Sequence, residues 1–579
     1  MQIHSIFKKF LFILFLLFFS FILFFIIFQN IFLSDQIIID LGFRTLNLSE
    51  NFPFIWKNIK LCYFIFHILS WSIISNSIYE TLFHKFHSKL PSIKNLSFHQ
   101  HKKDSSSPEN HLNLLVGLSS NTKEEVYLPE KSLYQNVLIT GTIGSGKTSS
   151  AMYPFSEQLI KYVGTNHSEK LGMLILDVKG NFYTQISNYV ELYDRKKDLI
   201  IISLFSGIRY NPLDKPNLKS IVLANRLKTI LTLFSQNNSD SYWLDMVEIV
   251  LNESIKFCRL YNHNYVTFEE LHKLVTQQEY YASKLDFLRH LFLKNQLSQE
   301  DMYHLLSSVE FFEKELYSLD DRTLSIIRSE ITRITNCFIS DYQVLKTFSP
   351  KKEEINFTGF SDVLKYGKIV VLSMNIAEYR TLSKIIAAYL KLDFQTEVLL
   401  NLKNNTNHRS SCFICDEFHE YVTRTDADFF AQSREAKCIN IIATQSYSSL
   451  KSTLANQDDV KVITQSLVNK LWFRNDDIFT IEEAQKQIGK EDKLKTNKSI
   501  SENAKETNFN YLTNKFYSTD SNLSESISTV THFDYIYDTK FFTQDLESFS
   551  CLAFLSDGSK ILTPKKINLI PYFMKGGSL

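Results

Sequence analysis

The chain has 579 residues whose formal charges nearly cancel, 63 Lys and Arg against 62 Asp and Glu, for a net +1 at pH 7. Apolar residues at 44% and charged residues at 22% exclude wholesale disorder, and the neutral total excludes a polybasic protein that coats nucleic acid through a global field. Seven cysteines without regular spacing exclude a disulfide framework and fit a reduced protein.

Phe is abundant, at 48 residues, and is concentrated first near the N-terminus. Residues 10–28 carry no charge, and Ile31 to Leu33 extend the apolar run. About 20 apolar residues match the hydrocarbon core of a bilayer, so 10–33 is predicted to be a transmembrane helix. A cleaved signal peptide would have a shorter apolar region and a small-residue cleavage site. A second, weaker apolar stretch at 61–79 is interrupted by His67, Ser70, Ser72, Ser75 and Asn76. It reads as a second span, with a buried amphipathic segment as the alternative. Lys8 and Lys9 precede the first stretch, and Lys85, Lys89, Lys94, Lys102 and Lys103 follow the second. Positive charge prefers the cytoplasmic side, so the expectation is a multi-pass inner-membrane anchor over 1–83 with a short external loop. A basic linker at 84–110 would lead into a cytoplasmic remainder.

After the buried-strand pattern Val137-Leu138-Ile139-Thr140 comes Gly141-Thr142-Ile143-Gly144-Ser145-Gly146-Lys147-Thr148. This is a phosphate-binding loop, G-x-x-x-x-G-K-[ST], between a strand and a helix. Its glycines let the backbone curl so that N–H groups point at phosphate oxygens, aided by the following helix N-terminus and Ser149. Lys147 is predicted to reach the β- and γ-phosphates and Thr148 to take one Mg²⁺ position. Three of only 15 glycines fall within these residues, which makes a chance Gly-rich turn a poor account. The predicted ligands are ATP and Mg²⁺.

Such a loop needs a neighbouring strand that ends in an acid. Leu174-Ile175-Leu176-Asp177 is one candidate, and Cys412-Phe413-Ile414-Cys415-Asp416-Glu417 is the one with adjacent acids. Asp416 is predicted to hold the metal, and Glu417 to polarise the attacking water as general base. Ile439 to Thr444 forms another buried-strand pattern, and Gln445 after it is placed to sense the γ-phosphate or the lytic water. This arrangement points to a RecA-like ATPase. Asp177-Val178-Lys179-Gly180 also ends a strand, where open α/β sheets place their ligands, with a plain turn as the alternative. Cys412 and Cys415 alternate across a strand and have no second pair, so core packing is preferred to zinc. Arg434 reads either as an exposed salt-bridge residue or as an arginine finger toward a neighbouring subunit.

Together these residues resemble the type IV secretion coupling proteins, the conjugative ATPases of the TraG and TraD kind. The matches are GTIGSGKTSS with Pro154, LDVKGNF at Leu176 to Phe182, YNPLD at Tyr210 to Asp214, and Tyr242-Trp243. They continue with CDEFHEY at Cys415 to Tyr421 and SREAKCINIIATQSYSSL at Ser433 to Leu450. The resemblance implies a homo-hexamer whose central channel passes DNA, single-stranded by preference, or a nucleoprotein or protein substrate. It further implies type IV secretion channel components as partners, and a helical domain inserted between the phosphate loop and the metal-binding strand. It strengthens the finger reading of Arg434. The expected organisation is a RecA-like domain in two parts, 111–220 and 351–579, around an all-α insert at 221–350.

Residues 221–350 hold one Pro and no Gly, with Leu244, Val247, Leu251 and Ile255 at helical spacing. Their 13 Lys and Arg against 17 Asp and Glu make a poor phosphate-coating surface, so this insert reads as recognising protein or as bracing the ring. The polar stretch at 490–526 reads as a mobile loop, and Phe549 to Leu555 with Asp557 to Lys560 as a strand and turn of a returning hairpin. The leading expectation is an ATP-driven motor that feeds DNA or nucleoprotein into a type IV secretion or conjugation channel. An FtsK-type DNA translocase and a non-catalytic, nucleotide-controlled docking scaffold stay open beside it.

Overall fold

The computed structural model describes residues 112–574 apart from 164–168, 235–240, 295, 403–408, 455, 505–506 and 519–520, together with 38–40, 45–47 and 54. The chain divides into two compact units, Met1–Pro108 and Glu109–Leu579. In the first, strand β1 (Ile38–Asp40) pairs antiparallel with β2 (Thr45–Asn47). The two predicted spans at 10–33 and 61–79 lie outside the described residues. Among the described residues no helix is long and apolar enough to cross a membrane, which corrects the expected multi-pass inner-membrane placement. The long helices that are described alternate apolar and charged faces, because they bury one side against protein.

The second unit is organised on a mixed eleven-stranded sheet. Its strands in chain order are β3 (Asn113–Ser119), β4 (Glu125–Pro129), β5 (Val137–Thr140), β6 (Gly172–Leu176), β7 (Leu199–Ile202), β8 (Ile369–Leu372), β9 (Ser411–Cys415), β10 (Cys438–Thr444), β11 (Asn469–Phe473), β16 (Ser550–Phe554) and β17 (Lys565–Asn568). Their spatial order is β4-β3-β17-β16-β11-β5-β10-β9-β6-β8-β7. From β11 to β7 every neighbouring pair is parallel, whereas β16, β17, β3 and β4 extend the β11 edge as antiparallel strands. The parallel strands β5, β6, β8, β9, β10 and β11 are buried throughout, which is why they read as continuous apolar runs.

Alternate residues of these strands feed two cores. Val137, Ile139, Met173, Ile175, Ile414 and Ile441 face one side, with helices α1 (Tyr153–Lys161) and α2 (Phe182–Leu192) over them. Leu138, Leu174, Leu176, Phe413, Cys415 and Ile442 face the other, under the helices that follow. These are α3 (Ser220–Phe234), α4 (Ser241–Tyr261), α5 (Phe268–Thr276), α6 (Gln278–Leu293), α7 (Gln299–Glu310), α8 (Asp321–Ile339) and α9 (Tyr342–Phe348), then α10 (Phe360–Tyr366) and the long α11 (Ile376–Asn401). With no glycine in residues 221–350, several of these helices are punctuated by side-chain caps. Thr267, Ser298, Asp320 and Asp341 accept backbone N–H bonds at the starts of α5, α7, α8 and α9. Leu223, Val247, Phe257, Leu271 and Ile331 belong to the same apolar cluster as the strand residues, so the helical region and this face of the sheet share one core.

Helix α11 is the polar hub of that core. Asp393 accepts from Tyr210 at 2.7 Å and pairs with Lys215 at 2.8 Å and Arg226 at 2.9 Å, fastening the chain that enters the helical region. Those two cations hold the Asp393 carboxyl below its ordinary range against the effect of burial. Two residues earlier, the fully buried Lys391 donates to Asp426 at 2.5 Å, to the Tyr421 carbonyl at 2.6 Å and to Thr423 at 3.2 Å. Asp426 lies in α12 (Thr425–Gln432), just beyond the carboxyl end of β9.

The polar stretch read as a loop is an antiparallel ribbon. After α13 (Tyr447–Leu454), α14 (Gln457–Gln465) and α15 (Ile478–Ile488), β12 (Lys490–Ala504) pairs residue for residue with β15 (Ser521–Tyr535). The short pair β13 (Thr507–Asn510) and β14 (Lys515–Ser518) lies between them in the chain. Each strand contributes few apolar side chains, so neither shows a strand pattern alone. Pairing Asp492 with Phe533, Leu494 with Thr531 and Lys498 with Ile527 collects them on one face, where they are exposed.

The Lys391–Asp426 pair generates a stability prediction. Asp426→Ala strands a buried ammonium and is expected to cost about 3–5 kcal/mol, whereas the double variant Lys391→Met/Asp426→Leu recovers most of that. Urea denaturation of the three proteins measures it. A double variant no more stable than the single would contradict the account.

Candidate nucleotide site

Parallel pairing places the predicted residues on one edge. Thr140 of β5 stands beside Thr444 of β10, and Ile442 of β10 beside Cys415 of β9, so all three strands end together. Residues 141–148 leave β5, Gln445 leaves β10, and Asp416 and Glu417 leave β9 at this edge. Gly141 N–H donates to the Gln445 carbonyl at 3.1 Å and Asp416 N–H to the Leu176 carbonyl at 3.0 Å, which sews neighbouring turns together.

The loop is built as a cradle. Gly144 and Gly146 have φ of 79° and 98°, a conformation that disfavours other residues. Ser145 is buried and its hydroxyl donates to the Thr142 carbonyl at 2.8 Å, while Thr142 N–H donates to the Arg474 carbonyl at 2.9 Å. Ile143 points outward, 79% exposed. Ser149 donates to the Gly146 carbonyl at 3.3 Å as the chain enters a π turn, Lys147–Met152, ahead of α1. Sequence reading missed the residue that braces this loop. Phe549, itself at φ 64°, donates its N–H to the Ser145 carbonyl at 3.0 Å. Its ring occupies the space next to Gly146, where an added Cβ would meet it at 2.5 Å. No local pattern marks a contact across four hundred residues.

Opposite the loop stand the acids. Thr148 Oγ1 donates to Asp416 Oδ2 at 2.7 Å, and Glu417 N–H donates to Asp416 Oδ1 at 3.0 Å, so both oxygens of the fully buried Asp416 are engaged. Glu417 adopts φ 50°, ψ 48°, a left-handed conformation that costs a non-glycine residue about 1–2 kcal/mol and re-aims its side chain at the end of the strand. Burial, and then the Asp416 charge, push the Glu417 carboxyl above its ordinary range, opposed by Lys147, Lys179 and the Gln445 side chain. Burial pulls the Lys147 ammonium down against the charges of Glu417 and Asp416.

Asp177 closes the floor. Its carboxylate accepts the N–H groups of Lys179, Asn181 and Phe182 at 3.0, 3.1 and 3.2 Å, which fixes the turn from β6 into α2. Asp177 is therefore committed to the backbone, while the exposed Lys179 contributes charge to Lys147 and Glu417.

The donor set fits a nucleoside triphosphate with a divalent cation. The Lys147 ammonium is turned onto carbonyls of its own loop, at 2.5 Å from Gly141 and 3.3 Å from Thr142, and Glu417 Oε2 is buried with no hydrogen-bond partner. The structure thus brings Gly141 to Ser149, Asp416, Glu417 and Gln445 together. It does not bring Arg434 to them. Arg434 is exposed and precedes the amino end of β10, whereas Gln445 follows its carboxyl end, a separation of roughly 20 Å at about 3.3 Å per residue. Cys412 and Cys415 are both fully buried within β9.

Comparison with curated protein sequences gives no match. Among solved structures, the bacterial conjugative coupling protein TrwBdeltaN70 in its unbound monoclinic form shares the fold with a TM-score of 0.51 at 12% identity, over 79% of this chain and 88% of that one. Plasmid coupling protein TrwB in complex with ADP and Mg²⁺ gives 0.50 at 12% identity, over 80% and 96%. The same protein in complex with the non-hydrolysable ATP analogue ADPNP gives 0.50 at 12% identity, over 81% and 96%. The family described as the type IV secretion-system coupling protein DNA-binding domain matches residues 122–516. That match spans more than half of the sequence, and the chain belongs to the type IV secretion-system coupling protein family.

Proposed function

We propose that this chain is an ATP-hydrolysing motor that couples DNA or nucleoprotein to a type IV secretion or conjugation channel. The observation that carries the proposal is the Thr148–Asp416 contact with Glu417 beside it, one of whose oxygens is buried without a hydrogen-bond partner. Residues 141–149 would cradle the phosphates of ATP, with Lys147 on the β- and γ-phosphates. Thr148 and Asp416 would hold Mg²⁺, which when bound supplies positive charge against the phosphate oxygens. Glu417 accepts a proton from the attacking water, and Gln445 at the neighbouring strand end orients that water.

Arg434 cannot serve its own chain's site across the sheet, so a finger role requires delivery to a neighbouring copy. A ring of identical chains, a homo-hexamer in this reading, provides that. The family's DNA-binding description supports DNA as cargo, and a channel-forming secretion complex as partner follows from the same membership.

Glu417→Gln keeps the shape and removes the base. Turnover is expected to fall about 10²- to 10⁴-fold with binding of a non-hydrolysable ATP analogue retained, and unchanged turnover would sink the motor reading in favour of a nucleotide-controlled scaffold. Because the base works deprotonated and its carboxyl is raised in the unliganded site, kcat/KM should decline with falling pH through a value above the ordinary glutamate of about 4.3. A pH–rate profile whose acid limb sits at or below that value would contradict the assignment. With DNA added, turnover is expected to rise, and the logarithm of the apparent DNA affinity drawn from that rise to fall linearly with log salt as phosphate contacts are lost. Absence of stimulation in an assembled ring shifts the cargo from DNA to protein.

A further inference from the structure

We propose that His419 is a positioning residue for Glu417, holding its carboxylate to the strand that ends in Gln445 and tying both to helix α11. The inference rests on the hydrolytic reading of the site and adds to it a residue with no part in phosphate or metal binding.

His419 sits in the short turn Phe418–Glu420 that follows the acid pair, largely buried. Its Nδ1 is 3.2 Å from Thr444 Oγ1 and 3.7 Å from Glu417 Oε2, the buried oxygen without a hydrogen-bond partner. The Thr444 hydroxyl is within reach of the Ser446 carbonyl at 3.4 Å. We assign the tautomer in which that bond is made, so that Thr444 Oγ1 accepts from the imidazole and the ring proton sits on Nδ1, on the side of the threonine and the glutamate. On the far side, Nε2 lies 3.7 Å from Glu420 Oε1, and Glu420 pairs with Lys384 of α11. The backbone is fixed as well, since Thr453 of α13 donates to the His419 carbonyl at 2.8 Å.

The ring nitrogens thus face Glu417 and Glu420 on its own turn and Thr444 on β10, while Lys384 of α11 reaches it through Glu420 and Thr453 of α13 holds its backbone. Glu417 Oε2 has no hydrogen-bond partner, and His419 Nδ1 faces it at 3.7 Å, beyond hydrogen-bond distance. The ring, fixed by Thr444, therefore restrains the carboxylate by packing and polarity rather than by a direct bond. Ahead of a break at Arg380 (φ 44°, ψ −119°), the first turn of α11 meets the site separately, where Ile376 N–H donates to the Val178 carbonyl at 3.1 Å.

The test compares full-length wild type, Glu417→Gln, His419→Phe, His419→Gln and Thr444→Val in steady-state ATPase assays, with binding of a fluorescent non-hydrolysable ATP analogue as the measure of an intact site. His419→Phe fills the volume without a donor and is expected to lower kcat about 10- to 100-fold, with KM for ATP and analogue affinity within about twofold of wild type. His419→Gln restores a donor and should recover part of that loss. Thr444→Val frees the ring from the other side and should lower kcat in the same direction. A His419→Phe kcat within about twofold of wild type overturns the proposal while leaving the ATPase reading intact. So does a loss shared equally by kcat and analogue affinity. Wild type no faster than Glu417→Gln overturns the hydrolytic reading itself, and this inference with it.

Discussion

Everything in the candidate site depends on the parallel pairing of β10 with both β5 and β9. Because strands that run the same way end at the same edge, the phosphate loop, Gln445 and the acid pair are delivered together without any of them being near in sequence. The register is enforced by burial on both faces. Slipping β10 by one residue against β5 would exchange Ile439, Ile441 and Ala443 with Asn440, Ile442 and Thr444 between two separate cores. Asn440 adds its own constraint, since its side-chain amide donates to Asn136 at 2.6 Å and to Ser433 at 3.0 Å inside the protein. A buried amide satisfied at one register is unsatisfied at any other, at a cost of about 1–3 kcal/mol per lost partner.

The two faces of the sheet are unequal partners. Over one, α1 and α2 form a closed layer with the strands. The other face is continuous with the helical region, and α11 runs through that shared core carrying Asp393 and Lys391 on successive polar positions. Buried ion pairs rarely add net stability over apolar side chains of equal volume. Here each has more than one partner, so their effect is geometric: Asp393 selects how the chain enters the helical region, and Lys391 selects how it leaves β9. Arg226 shows the expense of such a device, because its Nε and one terminal nitrogen are buried without a hydrogen-bond partner.

Much of this was legible in the sequence wherever one segment carried the whole signal. The buried strands announced themselves as unbroken apolar runs, and residues 141–148 and Asp416-Glu417 are contiguous, so their spacing encodes their chemistry. What escaped needed two segments at once. Phe549 matters because its ring fills the space beside Gly146, and His419 because Thr444 lies across from it. The ribbon of β12 and β15 is apolar on one face only after pairing, since Leu494 and Ile500 on one strand and Ile527 and Phe533 on the other are too sparse to show a period separately. Arg434 is a different case. It lies between two site strands in sequence, but a parallel connection must return to the opposite edge before the next strand begins, and Arg434 lies exposed on that return, away from its own chain's site.

The same geometry gives a physical route from hydrolysis to movement, on the reading proposed above. Phe418, Tyr421 and Val422, immediately after the acid pair, are buried in the cluster that also contains Leu223, Val247 and Ile331 of the helical region. Glu417 is held in a left-handed conformation between the end of β9 and this packed segment. Lys391 grips the Tyr421 carbonyl and Asp426 from α11, and Lys384 grips Glu420 from the same helix. On that reading, a change in what the acids bind would reach α11 through two ion pairs and a packed aromatic segment. Close-packed interiors do not deform gradually, so that helix either keeps both grips or exchanges them together. A motor whose stroke begins at Glu417 requires such an element, with its charged handles on the site and its apolar side in the domain that moves.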